Sequence, residues 1–292
     1  MHEKNLGGVG RSGFDGDDGY FLKKYPKEEL AVATFDHGTR ESSKDDADFV
    51  CRTAEAQKIK FYREKATLGS RASEEVAREK RYEFLRRVAF LERGEIYTAH
   101  HLDDLVESVA INFIRGTGMR GLAAINSLGI RRPFIDGELE PSEYGFLAFD
   151  KKAILKYAAE NSVRFRQDPT NASDKYLRNR VREKTGELSI QTKMEIWELW
   201  KKKKKIMAEI DEIVENILPE DLRFLRADFE EMQEKEAMEI LRGGLMRAGV
   251  SATRPQMKDF LMAIKTYAPG KVFNLPKDKL VKFGRRDFML KV

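Results

Sequence analysis

Cysteine is almost absent from this 292-residue sequence, which contains only Cys51. A single cysteine excludes a disulfide framework within the chain and any Cys-x-x-Cys metal site or thiol relay. The sequence also lacks the run of about 18 apolar residues that a membrane-spanning helix requires, and it shows no signal peptide. Together these absences predict a protein of the reducing cytoplasm.

Histidine is scarce as well, with four in the chain, of which two are the neighbours His100 and His101. With no third histidine nearby and one cysteine, we expect no metal held by protein groups alone. Lysine and arginine exceed aspartate and glutamate by 54 to 49, which gives a formal net charge of +5. This mild basic excess suits a polyanionic partner.

The order of apolar segments predicts the fold class. A bounded apolar run at 30–35 reads as a buried parallel strand, and helical spacing follows over 45–58. A strand is expected at 60–62, a helix at 73–91 and another strand at 95–99. Alternating strands and helices indicate an α/β protein with a doubly wound parallel sheet.

Composition changes near Gln191, beyond which long charged helices extend to about residue 248. The last segments, at 271–276, 280–283 and 287–290, read as a small antiparallel sheet. The length also favours two domains. We therefore predict an aberrant N-terminus at 1–19, a catalytic α/β domain at 20–190 and a mostly helical domain with a short β-sheet at 191–292.

The turn between the strand at 95–99 and the helix that begins at Leu102 holds the densest polar constellation. Such turns are where open α/β sheets bind their ligands. His100, Asp104 and Ser108 are four residues apart, so a helix places them on one face. Three interpretations remain open: a metal site, an ordinary capped helix with a solvated acidic side, or a polar pocket. In the pocket, Asp104 and Glu107 would face a cationic substrate group.

Seven motifs of the chain occur in the order found in tRNA(Ile)-lysidine synthases, which are members of the PP-loop ATP pyrophosphatase superfamily. Each motif alone is weak, but seven in register are specific, and the resemblance covers roughly residues 31–182. It implies the adenine nucleotide alpha hydrolase-like fold with a smaller, mostly helical C-terminal domain. The motifs are DHGTRES, SEEVAREKRYEFL, TAHHLDDLVES, RGTG, RRP, DPTN and RNRVR.

The resemblance implies a ligase that forms a carbon–nitrogen bond. Its substrates would be free L-lysine, ATP carrying Mg²⁺, and tRNA(Ile) with a CAU anticodon. The C2 oxygen of the wobble cytidine would be adenylated, and the lysine amine would then displace AMP. Such a reaction depends mostly on positioning and charge stabilisation.

Roles for individual residues also follow from the resemblance alone. It implies catalytic roles for Arg78, Arg81, Asp104, Arg178 and Arg182. It places the lysine substrate at Asp104, Glu107 and His101. It places the nucleotide at Phe35, Asp36, His37, Arg40, His100, Arg115 and Gly116, and tRNA at Arg131, Arg132, Arg180, Lys201 and Lys203.

Simpler interpretations of several of these residues stay open. Arg78 and Arg81, three residues apart on one helix, have surface charges as their alternative interpretation. Arg115 and Gly116 have the pattern of a helix C-cap. The run Lys201–Lys205 would follow tRNA phosphates or lie solvated on its helix.

The N-terminus departs from the superfamily, whose first strand ends in the motif SGGxDS. Backbone N–H groups of that loop cradle the ATP phosphates. Residues 1–19 read MHEKNLGGVGRSGFDGDDG, which contains no apolar strand. Only Ser-Gly-Phe-Asp at 12–15 partly resembles the motif. As written, the chain is therefore expected to lack the first strand and the loop, to pack loosely over 1–19, and to turn over ATP weakly or not at all.

We hypothesise that a one-base shift near Gly19, from a sequencing error or a real mutation, accounts for this departure. Back-translated and read one nucleotide later, the codons of residues 2–19 permit MKKILVASGGPDSMAMM, which supplies a start, an apolar strand and the missing loop. The family pattern resumes at Tyr20. The hypothesis fails if the nucleotide sequence cannot encode SGGPDS in that frame.

Two other functions compete with the synthase. A PP-loop tRNA thiolase would need paired cysteines for an iron–sulfur cluster or a persulfide relay, and the chain has one cysteine. A tRNA-binding pseudoenzyme would have lost the loop genuinely. It would bind tRNA without transferring lysine.

Overall fold

The computed structural model describes residues 4–8, 26–36, 43–65, 74–123, 125, 129–163, 165, 177–276 and 278–290. The chain divides into two compact units, residues 1–203 and 204–292. The division falls inside one long helix, Ile190–Ile217, whereas the sequence pattern had placed it at residue 191.

The first unit is built on a five-stranded sheet whose order is β3-β2-β1-β4-β5. Every adjacent pair of strands is parallel. The chain winds outward from β1 through β2 to β3, and then restarts on the other side of β1 with β4. This is the doubly wound topology expected from the sequence, and its switch point lies between the carboxyl ends of β1 and β4. The strands are β1 Lys4–Gly8, β2 Leu30–Asp36, β3 Lys60–Lys65, β4 Gly94–Thr98 and β5 Ile130–Arg131.

The expectation that the first strand would be missing is wrong. Residues Lys4–Gly8 form the central strand, in register with Leu30–Ala33 of β2 on one side and Gly94–Thr98 of β4 on the other. The reason is that ladder hydrogen bonds come from the backbone, and two buried strands without a neighbour would leave their N–H and C=O groups unpaired. The remaining residues of 1–19, including those aligned with the phosphate loop, lie outside the described residues.

Helices cover both faces of the sheet because its inner strands are apolar on both faces. One face packs Ala31, Ala33, Phe35 and Ile96 against Phe84, Leu85 and Val88, and the other packs Leu30 and Val32 against Val50 and Ala54. The helices of this unit, with α8 continuing into the second unit, are α1 Ser43–Ala56, α2 Glu74–Glu92, α3 Leu102–Ile114, α4 Met119–Leu122, α5 Pro133–Asp136, α6 Lys151–Glu160, α7 Leu177–Gly186 and α8 Ile190–Ile217.

The second unit is mostly helical and ends in short antiparallel pairs, β6 with β9 and β7 with β8. Its core is rich in phenylalanine, and the buried Arg226 crosses it to donate hydrogen bonds to the carbonyl oxygens of Ile264, Tyr267 and Gly284 at 2.7, 2.7 and 3.3 Å. Its further elements are β6 Arg223–Leu225, α9 Arg226–Glu231, α10 Glu234–Arg247, α11 Arg254–Thr266, β7 Val272–Leu275, β8 Lys279–Lys282 and β9 Asp287–Met289. Across the described residues, no helix combines the length and apolarity needed to cross a membrane.

Candidate functional site

The candidate site lies where β4 ends and α3 begins. His101 has an extended backbone and caps α3, and its backbone N–H donates to the Asp104 carboxylate at 3.2 Å. The same carboxylate lies 3.6 Å from the His101 ring, and its side chain is 20% exposed. Asp104 is therefore fixed at the helix N-terminus, where the macrodipole favours an anion, and it still reaches solvent.

Burial alone would raise the pKa of Asp104, but electrostatic interaction with His101, His100 and Arg178 and the hydrogen bond from the His101 backbone N–H outweigh it. The net result is a pKa below the usual aspartate value. Asp104 is therefore ionised at neutral pH. It is suited to hold an ammonium group.

Glu107, one turn later on α3, is buried and paired with two arginines. Its side chain is 2% exposed, and its two oxygens accept bonds from Arg182 at 2.6 and 3.1 Å. Arg178 adds a longer contact of 3.4 Å. This bidentate, charge-assisted pair joins α3 to α7 and fixes the two guanidinium groups beside Asp104.

His100, at the end of β4, is an uncharged residue of the candidate site. Burial, together with the positive charges of Arg132, Arg81 and Arg78, lowers its pKa to about 3 against the opposing effect of Asp104. Its Nδ1 lies 2.9 Å from the Thr98 hydroxyl at the end of β4. His100 is therefore uncharged at neutral pH and borders a cluster of three arginines.

Asp103, next to Asp104 in sequence, joins α3 to two other helices. It bonds the ammonium of Lys193 at 2.7 Å and accepts the backbone N–H of Lys151, the first residue of α6, also at 2.7 Å. The Lys193 side chain is 6% exposed, so the pair is largely desolvated. It holds the start of α3 against α6 and α8.

Arg132 is the most unusual cation of the site because it is 2% exposed and poorly satisfied. One guanidinium nitrogen donates to the Ile130 carbonyl at 3.3 Å, while Nε and another terminal nitrogen are buried without a hydrogen-bond partner. Burial lowers the pKa of Arg132, with Tyr82 and Asp136 opposing the change. A buried cation in this condition costs stability.

Replacing Arg132 with methionine should therefore not destabilise the protein. We expect the free energy of unfolding to stay constant or rise by about 1–4 kcal/mol, as when poorly paired buried charges are replaced by apolar groups. Arg226→Met is the matched control, because that buried guanidinium is satisfied and its loss should cost about 3 kcal/mol. Denaturant unfolding measures both variants, and an equal loss in both would contradict this description of Arg132.

The low pKa of His100 predicts an acid-sensitive stability. The unfolded state takes up a proton near pH 6.5 and the folded state near pH 3, so the stabilisation is present above pH 6.5 and is lost as pH falls below it. Because the ring is partly exposed, the slope should lie below the limit of about 1.4 kcal/mol per pH unit. Comparison with His100→Gln over pH 6.5 to about 4.5, above most carboxylate pKa values, isolates this effect. Parallel stability curves for the two proteins would refute it.

The nucleotide residues expected at the end of β2 are only partly described. The Phe35 ring is buried and lies 5.8 Å from the ring of Phe84, so it serves the core. Asp36 is buried beside Arg63, with 3.7 Å between the charged groups. His37 and Arg40 lie outside the described residues.

Arg115 and Gly116 lie at the other end of α3 from Asp104, about 17 Å along the helix. Gly116 has a φ of +64°, its N–H bonds the Phe113 carbonyl, and the Thr117 N–H bonds the Asn112 carbonyl. These bonds form a Schellman motif. The structure therefore shows the helix C-cap and does not bring these two residues to the site.

The residues predicted to bind tRNA are dispersed. Arg131 is exposed and pairs with Glu95 at 2.9 Å, and Arg180 is exposed on α7. The interpretation of Arg132 as a tRNA-binding residue is corrected, because its guanidinium is buried away from solvent. Lys201 and Lys203 lie on α8, where Lys201 pairs with Glu198 and sits 4.0 Å over the Trp197 ring.

Arg78 and Arg81 lie on α2 with their guanidinium carbons 4.9 and 5.4 Å from the centre of the Tyr82 ring. The positive charges of both also lower the pKa of His100, so the structure brings these two arginines near the end of β4. The sequence did not reveal Lys193, because a lysine on a long charged helix gives no sign of burial. Among the described residues, no group of three or more histidine, cysteine, aspartate or glutamate side chains is arranged to hold a metal ion.

A family model described as a PP-loop domain matches residues 19–188. The tRNA(Ile)-lysidine synthase of Thermotoga maritima is 38% identical over 173 residues, which cover 56% of this chain and 39% of the relative. That of Enterococcus faecalis is 34% identical over 157 residues, or 53% and 33% of the two chains. The matched region thus spans well under half the length of these curated relatives.

A solved structure, the U34-tRNA thiolase NcsA from Methanococcus maripaludis with its 4Fe-4S cluster, resembles the chain with a TM-score of 0.53. The two share 18% sequence identity, and the likeness covers 69% of this chain and 73% of that one. At this identity the likeness concerns the fold alone.

Proposed function

The chain belongs to the PP-loop family, and from that premise we propose that it is a tRNA(Ile)-lysidine synthase. The reaction joins L-lysine to C2 of the wobble cytidine in tRNA(Ile) with a CAU anticodon. ATP and its Mg²⁺ are substrates, and the cytoplasm is the compartment. The observation that carries the proposal is one ionised, partly exposed carboxylate, Asp104, which lies near an arginine of α7 and, through His100, near those of α2.

The proposed reaction has two steps. The C2 oxygen of cytidine attacks the α-phosphorus of ATP, and pyrophosphate leaves. A lysine amine then attacks C2 and loses a proton, and AMP leaves with the former C2 oxygen. Both steps move negative charge onto phosphate oxygens, so preformed positive charge assists them.

We assign a separate binding role in these two steps to each group of described residues. Asp104 holds an ammonium group of lysine at the end of β4. The fixed guanidinium groups of Arg178 and Arg182 receive phosphate oxygens on one side, and Arg78 and Arg81 receive them on the other. His100 stays neutral and therefore does not repel the lysine.

Glu107 takes a different part from the one that the family resemblance implies. Both of its oxygens are already bonded to Arg182, so an incoming ammonium would have to displace a bidentate pair. We assign Glu107 to orienting the two α7 arginines. Lysine recognition then falls to Asp104, beside the His101 ring.

Product analysis tests the proposal. The chain with its SGGPDS loop restored is supplied with ATP, labelled lysine and unmodified tRNA(Ile), and the tRNA nucleosides are then analysed by mass spectrometry. A cytidine that has gained lysine with loss of water supports the synthase. A sulfur-containing nucleoside would favour the thiolase, and tight tRNA binding without any modification would favour the pseudoenzyme.

A further inference from the structure

One edge of the Arg132 guanidinium has no partner among the described residues. Its Nη1 donates to the Ile130 carbonyl at 3.3 Å, whereas Nε and Nη2 are buried and make no hydrogen bond there. These two nitrogens are adjacent on the guanidinium, and each carries an N–H that points outward from the same edge. Arginine uses such an edge to bind two oxygens of one carboxylate or phosphate side by side. The unpaired donors of Arg132 therefore form a complete anion-binding edge.

A second unpaired donor lies beside this edge. The Tyr82 hydroxyl is buried and makes no hydrogen bond within the described part of the chain. Tyr82 is close enough to Arg132 to raise its pKa against the effect of burial. The two residues are 6% and 2% exposed, and buried polar groups in proteins are almost always hydrogen-bonded. Two neighbouring residues with unpaired donors therefore suit one acceptor group that has several oxygens.

The surroundings of these donors are strongly positive. The guanidinium carbons of Arg78 and Arg81 lie 4.9 and 5.4 Å from the centre of the Tyr82 ring, and the charge of Arg78 also lowers the pKa of Arg132. Asp136 offsets part of this charge, and it accepts the backbone N–H of Arg132 at 2.8 Å. Arg78 and Arg81 are partly exposed, so they connect the buried donors with solvent. Three guanidinium groups favour an anion with more than one negative charge.

A terminal phosphate group fits these donors better than other anions of the proposed reaction. It carries nearly two negative charges and three acceptor oxygens, so it can accept from both nitrogens of Arg132 and from Tyr82. The carboxylate of lysine has two oxygens, and free lysine is a net cation that three arginines repel. A phosphodiester of tRNA has one charge and is tethered on both sides, which keeps it from a side chain as buried as Arg132.

We propose that the unpaired edge of Arg132, the Tyr82 hydroxyl and the two arginines of α2 form a binding site for a terminal phosphate group. Arg132 directly follows β5, which β4 separates from β1. The site is therefore distinct from the phosphate loop that follows the first strand in the superfamily. The proposed function enters only as the source of the phosphate, which is pyrophosphate or AMP. Bound phosphate would offset the cost of burying the Arg132 charge.

Titration calorimetry of the full chain with pyrophosphate, without Mg²⁺, tests the site. The chain lacks the SGGxDS motif, so that loop does not contribute to the result. Arg132→Met should weaken pyrophosphate binding about 10- to 100-fold, the effect of losing hydrogen bonds to a charged group. Tyr82→Phe removes only the hydroxyl and should weaken binding about 3- to 10-fold.

Arg131→Met is the matched control, because this neighbouring arginine is exposed and pairs with Glu95 at 2.9 Å. It should leave pyrophosphate binding unchanged. Absence of pyrophosphate binding to the unmodified chain would overturn the proposal. So would equal affinity in the unmodified chain and the Arg132→Met variant, or an equal loss in both arginine variants.

Titrations with AMP, adenosine and lysine identify the source of the phosphate. If Arg132→Met weakens AMP binding as well, the site takes the phosphate of AMP, and if it weakens only pyrophosphate binding, the site takes the leaving group. Adenosine binding should not depend on Arg132. A variant that loses lysine binding and keeps pyrophosphate binding would show that the Arg132 edge holds a carboxylate, which would overturn the proposal.

Denaturant unfolding provides a readout that is independent of lysine transfer. Because a ligand stabilises the state that binds it, pyrophosphate should raise the unfolding midpoint of the unmodified chain more than that of Arg132→Met. Equal shifts would overturn the site. If phosphate binding depends on Arg132 but the loop-restored chain transfers no lysine, the site stands and the proposed function fails. If lysine is transferred but phosphate binding is indifferent to Arg132, the function stands and the site fails.

Discussion

Restoring the loop sequence SGGPDS, in the frame-shifted N-terminus MKKILVASGGPDSMAMM, should raise ATP-dependent lysine transfer at least about 10³-fold over the chain as written. The physical reason is that preorganised backbone N–H donors on phosphate oxygens are worth about 10²–10³ each in rate. A loop that supplies several of them at a helix N-terminus is not replaced by side chains elsewhere. Release of pyrophosphate in the presence of tRNA measures the effect.

The matched control for this experiment changes the strand without the loop. A chain carrying MKKILVA ahead of its present residues 9–19 restores apolar strand residues and should remain inactive. Equal activity of the written and the restored chains would contradict the account. So would a nucleotide sequence that cannot encode the loop in the shifted frame.

The structure adds one observation to the frameshift hypothesis. The strand at Lys4–Gly8 occupies the positions whose codons, read one base later, permit Lys-Ile-Leu-Val-Ala. A one-base shift keeps the number of residues constant, so the strand keeps its position in the sheet while its side chains change. The hydrogen bonds that β1 makes with β2 and β4 come from backbone groups, which almost any sequence supplies. A phosphate loop, in contrast, depends on particular glycines and serines.

Replacing Asp104 with asparagine in the loop-restored chain should lower kcat/KM for lysine about 10²-fold. Loss of a hydrogen bond to a charged group in a partly buried site costs up to about 3 kcal/mol. Asparagine keeps an oxygen that accepts the His101 N–H, so the cap of α3 and the stability should be preserved. Initial rates with lysine, ATP and tRNA varied separately measure the change, and KM for ATP should stay the same.

Two neighbouring carboxylates provide controls for Asp104. Asp103→Asn weakens the contact with Lys193, so it should lower stability without a selective change in KM for lysine. Glu107→Gln leaves Arg178 and Arg182, which are 29% and 32% exposed, without their buried carboxylate partner, so it should lower stability by about 1–3 kcal/mol. An Asp104 variant that binds lysine normally, or that loses activity only in proportion to unfolding, would refute its assigned role.

The sequence predicts the α/β class and the strand-to-helix turn at the site because both depend on local patterns. Apolar runs bounded by turns mark β2 and β4, and helical spacing marks α3. It also places Asp104 and Glu107 on one helix, where residues three apart are neighbours, whereas His100 precedes α3 and does not share its face.

Contacts between distant elements could not be predicted in this way. Glu107 and Arg182 are 75 residues apart, and nothing in either segment indicates that one neutralises the other. The burial of Arg132 and Lys193 was equally hidden, because arginine and lysine are mostly exposed in proteins. The central strand cannot be predicted from its side chains, because Lys4–Gly8 has no apolar pattern and its pairing with β2 and β4 is made by the backbone.

A crystal structure of the loop-restored chain with lysine and a non-hydrolysable ATP analogue tests the central claim most directly. The account predicts a lysine ammonium within hydrogen-bond distance of the Asp104 carboxylate, with nucleotide phosphates on the arginine side and the pair between Glu107 and Arg182 intact. Lysine bound away from the carboxyl end of β4, or an ammonium on Glu107 with Arg182 displaced, would contradict it.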